Sequence, residues 1–306
     1  MGTRAVDTTS LKTFLTIADT GSFSLAAEHL YLTQPAISKR LHSLEQELGA
    51  RLFDRVGRQT LLTPAGEVFY QRARSILQQL EDSRREIDNL SGKVAGTLHI
   101  GTSHHIGLHR LPPLLKQLHQ QYPDLNLDIH FQDSEAVYHD VQTGKLELGV
   151  ITIPASPDPE LHTVTIWPDP LEFVVARNHP LVSAGSSSQR ISAKLLSQYG
   201  AILPAKNTYT RQILERAFTK LGHEITTSLS TNYLETNKML VSVGLGWSLL
   251  PRTMVGSDLR VLSIPRLQLQ RSLGVVHHPK RTLSNAAKIV LDLLNQARQS
   301  PVGDRH

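Results

Sequence analysis

Residues 21–49 read GSFSLAAEHLYLTQPAISKRLHSLEQELG, and this stretch decides the architecture of the N-terminal part of the chain. A helix begins near Ser24, a residue type suited to an N-cap, and turns Leu25, Ala26, Ala27 and Leu30 inward. After a break at Tyr31-Leu32 a second helix starts, with Thr33 as N-cap and Pro35 in the first turn, where backbone N–H groups have no helical partner to lose. Its apolar residues Ile37, Leu41, Leu44 and Leu48 recur at helical spacing, and Gly49 stands where a helix ends in a left-handed residue. Upstream, Leu11, Phe14, Leu15 and Ala18 mark another helix that stops at Gly21. Two short helices joined by a tight break, the second presenting polar groups at its start, make a helix-turn-helix.

The polar groups at that start are suited to DNA. Thr33, Gln34, Pro35, Ala36, Ser38, Lys39, Arg40 and His42 occupy the opening turns. Glutamine can bond an adenine edge with two hydrogen bonds, lysine reaches guanine or phosphate, and serine reaches either. Around them Lys39, Arg40, Arg51, Arg55 and Arg58 are basic, while Glu45 and Glu47 lie at the far end of the helix. A solvated face of a small helical bundle would also be polar, but the segment that follows favours DNA. From Leu52 to Thr63 two short extended runs flank Gly57, a hairpin tip, and Arg55, Arg58 and Gln59 sit beside it. Such a wing can enter a minor groove or clamp phosphates.

Thr63 then caps, and Pro64 opens, a helix predicted to run to about Leu90. Phe69, Ala73, Ile76, Leu80, Ser83, Ile87 and Leu90 alternate steps of four and three, the pattern of a coiled-coil seam. A helix of that length spans about 40 Å. The expected dimer contacts are Phe69, Ala73, Ile76, Leu80 and Ile87; the alternative is a helix laid along the C-terminal part. Residues 91–96, Ser-Gly-Lys-Val-Ala-Gly, read as a hinge. The expected division is 1–63 for DNA, 64–92 for dimerisation and 93–306 for a sensing domain.

From Thr97 onward strands and helices alternate. Strands are predicted at 98–101, 125–131, 148–152, 171–176, 201–203, 226–229, 247–250 and 273–277. Helices are predicted at 111–121, 137–143, 210–220, 234–243 and 283–298. This order implies a largely parallel sheet with helices on its faces, in two rounds.

The N-terminal residues resemble the DNA-binding unit of the LysR-type transcriptional regulators. The resemblance is carried by Gly21-Ser22-Phe23-Ser24-Leu25-Ala26-Ala27, Leu32-Thr33-Gln34-Pro35-Ala36-Ile37-Ser38, and Leu44-Glu45-Gln46-Glu47-Leu48-Gly49. It continues through Leu52-Phe53-Asp54-Arg55 and Leu62-Thr63-Pro64-Ala65-Gly66. It implies a chain of mixed α+β class: a winged helix-turn-helix, a long linker helix, and a two-lobed α/β domain of type 2 periplasmic-binding-protein fold. It implies base and phosphate contacts from Gln34, Pro35, Ser38 and Lys39, an antiparallel dimer along the linker, and a homotetramer. RNA polymerase is a further partner on this reading. Lobe I is expected over about 97–165 and 268–300, lobe II over about 166–267. A small-molecule effector is expected between them, at Thr102, Ser103, His104, His105, Gln132, Ser134, Thr152, Pro204, Lys206 and Thr208. The expected effector is a small anion held by Ser103 and Thr152 from one lobe and Lys206 from the other, with His104 or His105 lending pH dependence.

Composition fits a cytoplasmic regulator. In 306 residues there is no cysteine, so disulfides, thiol catalysis and thiolate metal sites are excluded. No secretory signal or membrane-length apolar run is evident, and the formal net charge of +5 suits a polyanionic partner. Gly244-Leu245-Gly246 lacks the third glycine of a dinucleotide fingerprint, and Gly246-Trp247-Ser248-Leu249-Leu250 lacks the closing glycine of a nucleophile elbow. With no phosphate-binding loop either, no catalytic set and no cofactor are expected. The 15 histidines are read as solvent-facing or cleft polar groups rather than metal ligands.

Overall fold

The computed structural model describes residues 6–56, 59–182, 191–265 and 267–299. It resolves into two compact units, one ending at Asp88 and one beginning at Asn89.

The first unit contains α1 (Thr8–Thr20), α2 (Phe23–His29), α3 (Gln34–Leu48), the hairpin β1 (Phe53–Val56) and β2 (Gln59–Leu62), and α4 (Pro64–Asn89). Gly21 takes φ 63° and ends α1, so Ser22 is the first extended residue and caps α2 by accepting the Leu25 N–H. The expected start at Ser24 is therefore two residues late. Leu25, expected inside, is exposed, because a seven-residue helix buries only Phe23, Ala26 and Ala27. Gly49 ends α3 at φ 66°, as the sequence predicts.

Aromatic rings hold this unit together. Phe14 of α1 lies 5.3 Å from Phe53 of the hairpin and 5.0 Å from Phe69 of α4, at tilted angles that suit ring quadrupoles. Hydrogen bonds lock the same junction. The Glu45 carboxylate accepts the Leu52 N–H at 2.8 Å. Thr63 Oγ1 donates to the Arg51 carbonyl and accepts the Gly66 N–H. A Cβ on Gly66 would stand 2.1 Å from the Leu52 carbonyl oxygen, so the first turn of α4 requires glycine there. This seating changes the reading of the linker seam. Ala73 is wholly buried in the unit's own core and Phe69 packs against it, so neither is free to face a second chain. Ile76 and Ile87 are exposed, and Leu80 is half-buried.

The second unit runs β3 (Gly96–Thr102), α5 (His104–His109), α6 (Pro112–Gln121), β4 (Leu125–Phe131), α7 (Ser134–Gln142), β5 (Leu148–Thr152) and β6 (His162–Ala176). It continues with α8 (Ala193–Leu196), β7 (Ala201–Leu203), α9 (Tyr209–Lys220), β8 (Thr227–Ser230) and α10 (Leu234–Ser242). Strands β9 (Ser248–Pro251), β10 (Leu259–Leu262) and β11 (Leu269–His277) and helix α11 (Asn285–Gln299) complete it. The main sheet has the order β10-β6-β11-β5-β3-β4, with β9 also on β6. Strands β3, β4 and β5 are parallel, whereas β11 is antiparallel to both β5 and β6.

The long strands define two lobes. The start of β6 pairs with the end of β11 in lobe I, and the end of β6 pairs with β9 and β10 in lobe II. Sequence reading placed only 171–176 and 273–277 in strands. Pro168 and Pro170 lack ladder donors and hid the first half of β6. Helix α5 and strand β10 were also missed. Lobe I packs Leu98, Ile100, Val150, Leu273 and Val275 against Val290 and Leu294 of α11. Lobe II is centred on Phe173, Phe218 and the fully buried Trp247, whose Nε1 donates to the Tyr199 carbonyl at 3.0 Å.

The two crossing strands approach so closely at Gly274 that a Cβ would lie 2.2 Å from the Val164 carbonyl oxygen. Gly274→Ala should lower the stability of this unit by at least about 1–3 kcal/mol, the usual cost of overpacking. Denaturant unfolding followed by Trp fluorescence measures it, since Trp167 and Trp247 both lie here. An unchanged midpoint would show that the strands separate there at no cost.

Candidate functional site

Two surfaces carry functional side chains. On the first, α3 exposes Thr33, Gln34, Pro35, Lys39 and His42, with Ala36, Ser38 and Arg40 half-buried. Steps of four put Gln34, Ser38 and His42 on one row of the helix. His42 is held by Gln46, its ring nitrogen 3.0 Å from the amide nitrogen. Ala36, Lys39 and Arg40 line a groove toward Asp7 and Ser10 of α1, so Arg40 faces that flank rather than the Gln34 row. In the hairpin, Arg55 pairs in register with Thr60; Gly57 and Arg58 lie outside the described residues.

The second is a cavity of about 300 Å³ between the lobes. The structure brings together Ser103, His104, His105, Gln132, Ser134, Thr152, Pro204 and Thr208 in its wall. Two expected residues are not in that wall. Lys206 is exposed. Thr102 is fully buried and spends its hydroxyl on the Val150 carbonyl at 2.9 Å. Ser103 makes no side-chain cap to α5, leaving its hydroxyl to the cavity. The Thr152 N–H donates to Ser134 Oγ at 3.0 Å, which fixes both at the end of β5.

The cation of the cavity is Arg271, which sequence reading missed. It lies on β11 directly opposite Asp169 of β6. Its Nε donates to Asp169 Oδ2 at 2.7 Å and its Nη1 to Thr210 Oγ1 at 2.9 Å, while Nη2 is buried without a protein partner. Asp169 is 0% exposed, and Arg110 stands 3.6 Å from its other oxygen. A charge inside an apolar strand was the available signal, because charged side chains are rarely buried unless paired. Glu135, Asn232 and Tyr233 also line the cavity unforeseen. They close it: Glu135 accepts the Tyr209 N–H, and Asn232 donates to Asp133 at 2.7 Å across the lobes. Burial raises the Glu135 carboxyl above its usual value.

Beside the cavity, Glu235 of α10 approaches two histidines of α5. Its Oε1 is 3.1 Å from His109 Nε2 and 3.8 Å from His105 Nδ1. Burial first, then the charges of Arg271 and His109, push His105 down to about 3; Glu235 opposes the shift and Arg110 reinforces it. Burial thus holds His105 in its neutral form in the ligand-free chain.

A depressed histidine has a signed consequence for folding. Above pH ~6.5 the ring is neutral in both states and contributes nothing; below it the unfolded chain takes up the proton first. Stability should thus fall as pH drops from about 6.5 toward 3, by up to about 1.4 kcal/mol per pH unit. His105→Gln should flatten this slope in chelator-treated buffer, and parallel curves for the two proteins would refute the assignment.

Comparison with known proteins completes the picture. Residues 8–67 match the model for bacterial regulatory helix-turn-helix proteins of the lysR family, and residues 91–299 match the LysR substrate binding domain. An uncharacterised helix-turn-helix regulator of Azotobacter vinelandii is 58% identical over 108 residues, covering 35% of this chain and 75% of its own. The regulator CysL of Bacillus subtilis is 29% identical over 95% of this chain and 97% of its own. Full-length OxyR from Pseudomonas aeruginosa, at 24% identity, shares the fold with a TM-score of 0.66 over 97% of this chain and 95% of its own. With the helix-turn-helix and both lobes each matched by its family model, this chain belongs to the LysR family of transcriptional regulators.

Proposed function

We propose that this regulator reads operator DNA with α3 and its wing, pairs with a second copy along α4, and is controlled by a small anionic metabolite between its lobes. The DNA reading rests on the row of Gln34, Ser38 and His42, exposed at Gln34 and His42 and with Lys39 at its edge, and on a wing whose sequence carries Arg55, Arg58 and Gln59. Pairing rests on Ile76 and Ile87, apolar and exposed on a 26-residue helix, with Leu80 between them. Assembly to a tetramer and contact with RNA polymerase extend this reading, as does a cytoplasmic location. Among the described residues no helix is long and apolar enough to cross a membrane. The reading includes no catalytic role and no cofactor.

One observation carries the effector proposal: Arg271 lines the cavity, and its Nη2 is buried with no protein acceptor. A buried donor left unpaired costs about 1–3 kcal/mol, more when charged, and a ligand oxygen removes that cost. The Ser103 and Thr152 hydroxyls stand in the same wall. Arg271 thus takes the role expected of Lys206. The two acids of the wall are already engaged, Glu135 by Tyr209 and Asp133 by Asn232.

Gel shifts over a salt series test the DNA reading. Lys39→Ala should lower the slope of log affinity against log salt by about one, and Gln34→Ala should relax preference at one base, costing about 1–3 kcal/mol. Ile76→Asp should abolish binding to a two-half-site operator while the protein stays folded. Wild-type behaviour in all three variants would remove the assignment.

Thermal shifts with sulfate and a panel of small carboxylates and neutral compounds test the effector site. An anion should raise the melting temperature of the wild type and of Lys206→Ala. Ser103→Ala, Thr152→Val and Arg271→Gln should lose the rise. Stabilisation by neutral compounds alone, or its loss in Lys206→Ala with retention in Ser103→Ala and Arg271→Gln, would overturn the anion site.

A further inference from the structure

We propose that His105, His109 and Glu235 form a binding site for a divalent transition-metal ion of the zinc, cobalt and nickel class, bridging the two lobes beside the cavity. The site shares His105 with the cavity wall, but the inference does not rest on the effector's being an anion. His105 and His109 lie four residues apart on α5, so both rings share one helix face, with centroids 4.7 Å apart. Glu235 comes from the opposite lobe, in the first turn of α10. One ligand atom from each residue lies within 4.8 Å of the other two. Bonds of about 2.0–2.2 Å to a tetrahedral ion set its ligand atoms about 3.4 Å apart, so side-chain adjustment of well under a rotamer change closes the set.

Unsatisfied groups point to something polar at this spot. His105 is 4% exposed, yet neither ring nitrogen has a hydrogen-bond partner. Glu235 Oε2 is likewise buried and unpartnered. Buried imidazoles and carboxylates ordinarily have hydrogen-bond partners or coordinate a metal. Arg271 and Arg110 oppose a cation here, but both lean on Asp169, which offsets their charge. Imidazole and carboxylate ligands suit this class of ion, and three protein ligands leave a fourth position open.

A second cluster makes the contrast. His99, Asp128 and His130 also come together on lobe I, but Asp128 accepts from both rings at 2.7 and 3.1 Å, and all three side chains are well exposed. Nothing there is left without a partner that calls for an ion.

Cobalt(II) titration of the chelator-treated full-length protein, read by its visible absorption and by calorimetry, tests the site. One ion should bind per chain. His109→Ala and Glu235→Gln should each weaken binding by more than the 10- to 100-fold typical of losing an outer-shell partner. His130→Ala should bind as the wild type does. His109 and Glu235 are both partly solvent-facing, so these variants retain the packed core. No saturable binding, or binding that survives in His109→Ala and Glu235→Gln, or that vanishes in His130→Ala, would overturn the proposal.

Discussion

The ion pair between Arg271 and Asp169 is the constraint on which the sensing unit depends. Both residues sit where β6 and β11 cross from one lobe to the other, and both are almost wholly buried. Removing one partner from such a pair costs about 3–5 kcal/mol, because the remaining charge is stranded away from water. The pair holds the crossing strands in register, gives Arg110 its anchor, and through Thr210 reaches the start of α9 in lobe II. Because one arm of the guanidinium is left over, the group that secures the crossing also faces the cavity. Stability and recognition share a residue here, and the geometry of the wall is set from beneath by the strands themselves.

Among its described residues, the N-terminal unit solves a related problem without buried charge. A helix-turn-helix of three short helices has little core, and here the hairpin and the first turns of α4 supply the rest through Phe53, Phe69 and Ala73. The long helix is therefore a structural part of the DNA reader for its first three turns. Beyond Ala73, the exposed Ile76 and Ile87 are available to another chain.

Local signals were legible in the sequence and cross-chain ones were not. Gly49 and Pro64 marked helix ends because their backbone chemistry acts within a few residues. Ser22 was displaced to Ser24 because both are competent caps, and only the left-handed Gly21 decides between them. The cavity wall was found wherever it follows a strand end, as at Ser103 and Thr152. Arg271, Glu135, Asn232 and Glu235 were hidden, since their roles come from partners far away in sequence. Lys206 was attractive for its charge and its neighbours, but a position next to a binding loop does not determine which way a flexible side chain leaves it.

The strand order also fixes a sequence of events at the ribosome. Strand β11 lies between β5 and β6, so Val276 must find Gly149 and Thr163 before lobe I has a continuous sheet. All of lobe II is synthesised in between. Such non-local pairing is slow and comes late, whereas the contacts of the N-terminal unit are local and complete once α4 has emerged. A growing chain of this topology acquires a folded DNA reader well before it has a sensor. Truncation between α4 and β11 would leave the reader without its sensor.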